Sequence, residues 1–328
     1  MGTVTLAFLG DVMLGRLVNG RLPERPPESF WGSTLPVLRA TDAVFANLEC
    51  AITGHTRPWS RTRKMFHFRT DPPAVDILKA AGVRCVSLAN NHTLDFEVEG
   101  LLNTRDHLGA AGIQHAGAGR TIEEAMAPAL VDVGGGFKVG FIALTNNEPP
   151  FAAGPDRPGT WYTEIRADPA ILGPIEERAA RLCERGANLI VLSVHWGPNM
   201  VEEPPPRFRR FAHAVVERGA DLLHGHSAHI FQAVEARGRR LILYDTGDFL
   251  DDYAVDPVLR NDRSFIFLVE ADEQGPRRLR LLPARLTFAR VDLATGDEFE
   301  AIRGRMRRLC EPFGAPLAAT DEGLELTL

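Results

Sequence analysis

Short, almost unbroken apolar runs punctuate the chain, and between them lie segments whose apolar residues recur at helical spacing. The runs over 3–9, 42–48, 84–89, 138–145, 188–194, 220–223 and 240–244 are too short for core helices and are read as buried strands. Weaker strands are expected over 112–115 and 129–133. Helices are predicted over 73–81, 100–111, 168–185, 208–218 and 298–309; in the third, Ile171, Ile175, Ala179 and Leu182 fall on one face. The segments 264–270 and 277–285 alternate like edge strands of an antiparallel hairpin. Proline-rich 22–31 and proline- and glycine-rich 146–159 read as loops. Strands alternating with helices through the first 250 residues predict a layered α/β fold. With no internal repeat or linker, 1–328 is taken as one domain.

What changes this picture is how the runs end. Asp11 follows the first strand and Gly10; Asn47 and Glu49, two residues apart, project from one face of the second. Asn91 and His92 close the third, His195 the strand over 188–194, and Asp248 follows the strand over 240–244. Three histidines, His224, His226 and His229, crowd around Gly225 at the end of the strand over 220–223. Neutral imidazole is the commonest nitrogen ligand for a divalent ion, and strand ends are rigid mounts facing a cleft. Each residue alone could cap a turn or satisfy a core. Their common position predicts a shared metal site.

Composition narrows the partners. The formal net charge of −6 leaves no basic excess to offset phosphate, which argues against nucleic acid. The four scattered cysteines, with no CxxC pair, are those of a reduced protein, Cys50 being a weak catalytic candidate. No signal-peptide pattern and no apolar run of membrane-spanning length is present, so a cytoplasmic protein without membrane contact is expected. One stretch departs from the acidic balance: 54–69 carries Arg57, Arg61, Arg63, Lys64, His67 and Arg69, with Trp59 and Phe66 interleaved. Its length suits a binding loop or lid as well as a solvated excursion.

Strand-end residues in the order Asp, carboxylate, Asn-His, His and Gly-His-x-x-His resemble the metallo-dependent (calcineurin-like) phosphatase superfamily, and within it the CapA family, named for poly-γ-glutamate capsule synthesis. The resemblance rests on Gly10-Asp-Val-Met-Leu-Gly-Arg16, Asn47-Leu-Glu49, Ala89-Asn-Asn-His92, His195-Trp-Gly197, Gly225-His-Ser-Ala-His229 and Gly247-Asp-Phe249, about three quarters of the chain. It implies a four-layer α-β-β-α sandwich and one or two divalent ions (Mn, Zn, Ca, Mg or Fe) held by Asp11, Glu49, Asn91, His195, His226 and His229. It also implies proton transfer by His92. Two departures stand out: Met13 replaces the second ligand of the superfamily's Asp-x-His, a soft thioether unsuited to a hard ion, and Glu49 replaces the bridging Asp.

Four activities follow as alternatives: phosphoester hydrolysis, a role in poly-γ-glutamate synthesis or hydrolysis, metal-assisted acid/base chemistry on a peptide, and a metal-stabilised binding scaffold. The departures weigh against efficient phosphoester cleavage. The expectation is therefore Cα epimerisation at a peptide's C-terminal residue, with Asp11 and His92 exchanging the proton and Arg16, Arg69 and Asp248 contacting a peptide or small acidic substrate; the resemblance extends to a peptide epimerase of lasso-peptide biosynthesis.

Overall fold

A computed structural model describes residues 2–328. Its frame is a pair of β-sheets packed face to face. The ten-stranded sheet is built on the parallel strands Val4–Val12, Ala43–Leu48, Val83–Ser87 and Gln114–Ala116, extended beyond Val4–Val12 by the antiparallel strands Arg263–Asp272, Gly275–Thr287 and Gly323–Thr327. The six-stranded sheet has four parallel strands, Phe137–Thr145, Leu189–His195, Leu222–His226 and Arg240–Leu243, with Ala129–Gly134 and Val234–Arg237 at its edges.

Alternation along each strand explains the layering. In Val4–Val12, Leu6 and Phe8 face the second sheet, while Ala7 and Leu9 face the helices outside. Phe8 stacks on Phe45 at 5.2 Å and Phe45 on Phe141 of the other sheet at 5.5 Å, so aromatic rings fill the space between the sheets. The helix Pro169–Glu184 buries Leu172, Ile175, Ala179 and Leu182, with Asp168 capping it by accepting from Ile171 N–H at 3.2 Å; Ile171 itself is only partly buried. Together with Pro206–Glu217 it covers the six-stranded sheet, and Val75–Ala80 and Glu97–Ala110 cover the larger one. This is the four-layer sandwich expected from the resemblance. No helix among the described residues is long and apolar enough to cross a membrane.

Two local expectations are corrected. The hairpin strands Arg263–Asp272 and Gly275–Thr287 are interior, not edge: the first pairs with Val4–Val12, and the second is flanked by Gly323–Thr327 and Arg290–Leu293. The run Phe265-Ile-Phe-Leu-Val269 is apolar at every position because both its faces are covered. The segment over 22–31 is not wholly loop: helical turns Pro27–Thr34 begin on a proline and bury Phe30 and Trp31, whose indole N–H donates to Ile77 O at 2.8 Å.

Two backbone approaches set the strand ends. Gly10 lies where Val4–Val12 changes register, and a Cβ there would sit 1.8 Å from Gly247 O. A Cβ on Gly225 would sit 2.0 Å from Tyr244 O. Both contacts are with backbone, so a side chain forces strands apart rather than a rotamer to turn. Gly10→Ala and Gly225→Ala are each expected to destabilise the fold by ~1–3 kcal/mol or more, measured as a drop in denaturant midpoint; Gly109→Ala, in open space on a helix, serves as the neutral control, and equal midpoints for all three would refute the close-approach account.

Candidate metal centre

The sheets deliver their ligand-type residues to one end. Asp11 is in register with Asp248, the first residue of Asp248–Leu250, a short strand parallel to Val4–Val12. Asp248 therefore belongs to the larger sheet rather than to the end of Arg240–Leu243, from which the chain crosses over through 244–247. His195 and His226 are paired neighbours at the ends of their strands. Asp245 fixes the turn beyond them: its carboxylate accepts from Ala228 N–H at 2.9 Å and Gly247 N–H at 2.8 Å. That turn holds His229 at φ 61°, a left-handed conformation rare for a non-glycine and common at functional sites.

Two groups of possible ligands result, and they share one residue. Asp11, His195 and His226 offer donor atoms within 4.8 Å of one another, as do Asp11, Glu49, His229 and Asp248. The Nδ1 atoms of His195 and His226 are 2.9 Å apart, and each lies just under 4 Å from Asp11 Oδ1, at 3.9 and 3.8 Å. His195 Nε2 is 2.8 Å from Asn91 Oδ1 and 3.8 Å from Glu49 Oε1. His229 Nδ1 is 2.8 Å from Asp248 Oδ1 and 3.5 Å from Asp11 Oδ2. All six predicted ligands converge, and Asp248, expected at the substrate, stands among them.

The electrostatics show what this cluster lacks. Burial pushes the Asp11 carboxyl up to about 7, and burial likewise raises Glu49 and Asp248, with the neighbouring carboxyls adding to the effect on Glu49. Burial holds His195 and His226 well below their usual range, leaving them neutral and able to ligate. Burial would lower His229 too, but Asp248, Glu49 and Asp11 outweigh it and hold it well above its usual range. Asp11 Oδ2, Glu49 Oε1 and Asp248 Oδ2 are buried without a hydrogen-bond partner. Orphaned carboxylate oxygens beside neutral imidazoles fit a divalent cation. The mixed nitrogen and oxygen donors suit Zn, Mn or Fe.

Beside this centre lies an acid/base pair. His92 Nδ1 is 2.5 Å from Asp95 Oδ2, the ring stacks on Phe68 with centroids 4.0 Å apart, and Nε2 is 3.8 Å from Glu49 Oε1. Asp95 is raised to about 7 by burial, opposed by the Lys64 ammonium and by Phe68 N–H, which donates at 2.7 Å. Burial, then Lys64, lowers His92. Lys64 Nζ donates to Asn91 O at 2.6 Å and lies 3.4 Å from Asp95 Oδ1. Tyr253 OH donates to Glu49 Oε2 at 3.3 Å, and Asn47 Nδ2 to Asp11 Oδ1 at 2.7 Å. A cavity of about 800 Å³ opens over the pair, with His92, His229 and Asn91 among its polar lining.

Arg16 lines this cavity, over the rings of Phe68 and Tyr253 and paired with Asp252. Arg69 does not: its guanidinium donates to Thr53 O at 2.8 Å and to Asp71 at 2.9 Å. Cys50 is a buried thiol pushed by burial up to about 12, unsuited to proton transfer at neutral pH. Sequence reasoning placed Asn47 at a strand end without naming it a ligand, and gave no role to Asp95 or Tyr253. Asp95 carried a signal, three residues after His92 and capable of orienting it; Tyr253 carried none.

The chain is similar to several known proteins. The family model described as "Bacterial capsule synthesis protein PGA_cap" matches residues 5–253. A "Probable polyglutamine synthesis accessory protein" of Mycobacterium tuberculosis is 34% identical over 329 residues, covering 96% of this chain and 85% of its own. The "PGA biosynthesis protein CapA" of Bacillus subtilis is 28% identical over 250 residues, covering 76% of this chain and 63% of its own. Among solved structures, Thermus thermophilus sulfate thiohydrolase SoxB in complex with glycerol aligns over 96% of this chain and 61% of its own, with TM-score 0.44 and 11% identity.

Metal content tests the centre. Purified protein is expected to carry a divalent ion, and His195→Ala and His226→Ala each to lower its affinity at least ~10-fold, while Asp95→Asn retains it. Equal metal content across wild type and both histidine variants would sink the assignment.

Proposed function

The chain belongs to the bacterial capsule synthesis protein family PGA_cap, and on that premise we propose that it is a metal-dependent hydrolase cleaving amide bonds in a carboxylate-bearing peptide chain. The observation that carries the reading is the shared use of Asp11 by two donor groups, directly beside a proton carrier that faces the same cavity. The names borne by the relatives, polyglutamine synthesis and PGA biosynthesis, favour a glutamyl chain as the substrate class.

Hydrolysis breaks the amide C–N bond, joins water oxygen to the carbonyl carbon, and moves a proton from water to the departing amine. A bound divalent ion supplies Lewis acidity toward the carbonyl. The chain's own part begins with Asp95, which accepts from His92 Nδ1–H and so leaves Nε2, 3.8 Å from Glu49 Oε1, as the free nitrogen toward the metal centre. There Nε2 takes the proton from water and returns it to the amine. Phe68 packs on the imidazole and Asp95 holds Nδ1, so the ring has little freedom to turn, while Asn90 Oδ1 accepts from the His92 backbone N–H at 3.0 Å. Tyr253 orients Glu49 in the same way.

Cα epimerisation, the expectation from sequence, needs a second proton carrier on the opposite face of the substrate. Asp11 was the candidate, but it is common to both donor groups and accepts from Asn47. A single free proton carrier suits hydrolysis better than exchange.

The test is incubation of Mn-loaded protein with γ-linked glutamate oligomers in D₂O, read by mass. Shortened chains without deuterium at Cα are expected. Unchanged length with Cα deuterium would establish exchange instead, and release of neither would overturn the enzymatic reading. His92→Ala should keep its metal and lose ~10²–10⁴-fold in turnover; loss of metal and activity together would move His92 into the ligand set.

A further inference from the structure

Exposed large apolar side chains are not scattered over this molecule. Of Leu17, Met65, Phe66, Val255, Val258 and Phe288, exposed by between 43% and 83%, one lines a hollow adjoining the cavity above the metal centre, two directly follow a lining residue in the chain, and three line the cavity itself. Met65, Phe66 and Val255 line it; Val258 follows Pro257, which also lines it; Leu17 follows Arg16 and is held there by Asp252, which accepts its N–H at 2.9 Å. Phe288 lines a smaller adjoining hollow with Tyr253 and Val255. Single exposed apolar residues are ordinary, but a set of them gathered at one opening marks a contact surface.

The same rim carries one cation with nothing to balance it. Arg16 is paired with Asp252, and Lys64 is held by Asn91 O and lies 3.4 Å from Glu148. Arg63 also lines the cavity, and among the described residues no carboxylate or hydrogen-bond acceptor engages it. No Asp or Glu occurs anywhere over 50–70, in a chain whose net charge is −6. Arg63 therefore suits an anionic group brought by the ligand, two residues from Met65 on the same loop.

We propose that the mouth is a subsite for an amphipathic peptide segment, an apolar side chain lying on Met65, Phe66 and Val255 while a neighbouring carboxylate meets Arg63. This rests on the hydrolase reading for the bond attacked below, and it goes beyond the relatives' names: within the glutamyl class, a chain that also carries an apolar residue is preferred over an unbroken glutamate polymer. An all-glutamate chain presents only hydrated carboxylates and short methylene stems to these side chains and gains little from them. One buried large apolar side chain is worth ~10–100-fold in affinity.

The experiment uses Mn-loaded His92→Ala, so that ligand is bound and not consumed, with two unlabelled probes: hexaglutamate, and the same hexapeptide with one glutamate replaced by phenylalanine. By calorimetry the phenylalanine peptide is expected to bind at least ~10-fold tighter. Adding Met65→Ser and Phe66→Ser should erase that advantage to within ~2-fold, and Arg63→Ala should weaken both peptides, with melting temperature and metal content unchanged. Equal affinities, or no measurable binding of either peptide, would overturn the proposal. So would self-association in light scattering, or binding to phosphatidylglycerol vesicles, that the two serine substitutions abolish, since the surface would then belong to a second copy or to lipid. A phenylalanine preference in binding without cleavage by the wild type leaves the subsite standing and removes the hydrolase; cleavage of both peptides at equal affinity does the reverse.

Discussion

Ionisable groups taken out of water where two sheets end together are the condition that the remaining structure serves. Asp11, Glu49, Asp248, His195 and His226 are all buried, and the neutral and charged forms of each depend on its neighbours. Such a cluster persists only if the backbone leaves it no room to spread. Gly10 against Gly247 O and Gly225 against Tyr244 O provide that closeness, and the aromatic stack of Phe8, Phe45 and Phe141 keeps the sheets in fixed relation below it.

Much of this arrangement could be read from the order of residues alone. A strand's end is visible as the point where an apolar run stops, so Asp11, Glu49, Asn91, His195 and His226 announced themselves by position. Asp248 was found as a functional residue but assigned to the wrong strand, because a crossover between sheets over 244–247 leaves no mark in hydrophobicity. Arg69 was expected at the substrate because it belongs to a basic loop; its engagement with Thr53 O and Asp71 is a tertiary fact. Tyr253 was invisible for the same reason. The buried hairpin read as edge strands because covering by Val4–Val12 and Gly323–Thr327 comes from distant segments.

The family's name and the centre's chemistry answer different questions. Donor atoms, orphaned oxygens and an oriented imidazole limit which reactions the floor of the cavity can support. The mouth is built from other parts of the chain: the loop between Ala51–Ile52 and Arg69–Thr70, and the segment after Asp248–Leu250. Its composition, apolar with an unbalanced guanidinium, is not what the floor would require.

That loop is fastened at its base and at Lys64, which reaches Asn91 O and Asp95. Ala51–Ile52 and Arg69–Thr70 pair as a two-stranded ladder, Asp95 accepts from Trp59 N–H through its backbone carbonyl and from Phe68 N–H through its carboxylate, and the tip carrying Arg63, Met65 and Phe66 lies outside any helix or strand. Replacements of Arg63, Met65 or Phe66 at the tip would leave both the ladder and the Lys64 contacts in place. Descent with modification could thus exchange what is recognised while keeping what is done to it, so that two lineages inheriting one reaction come to process different molecules.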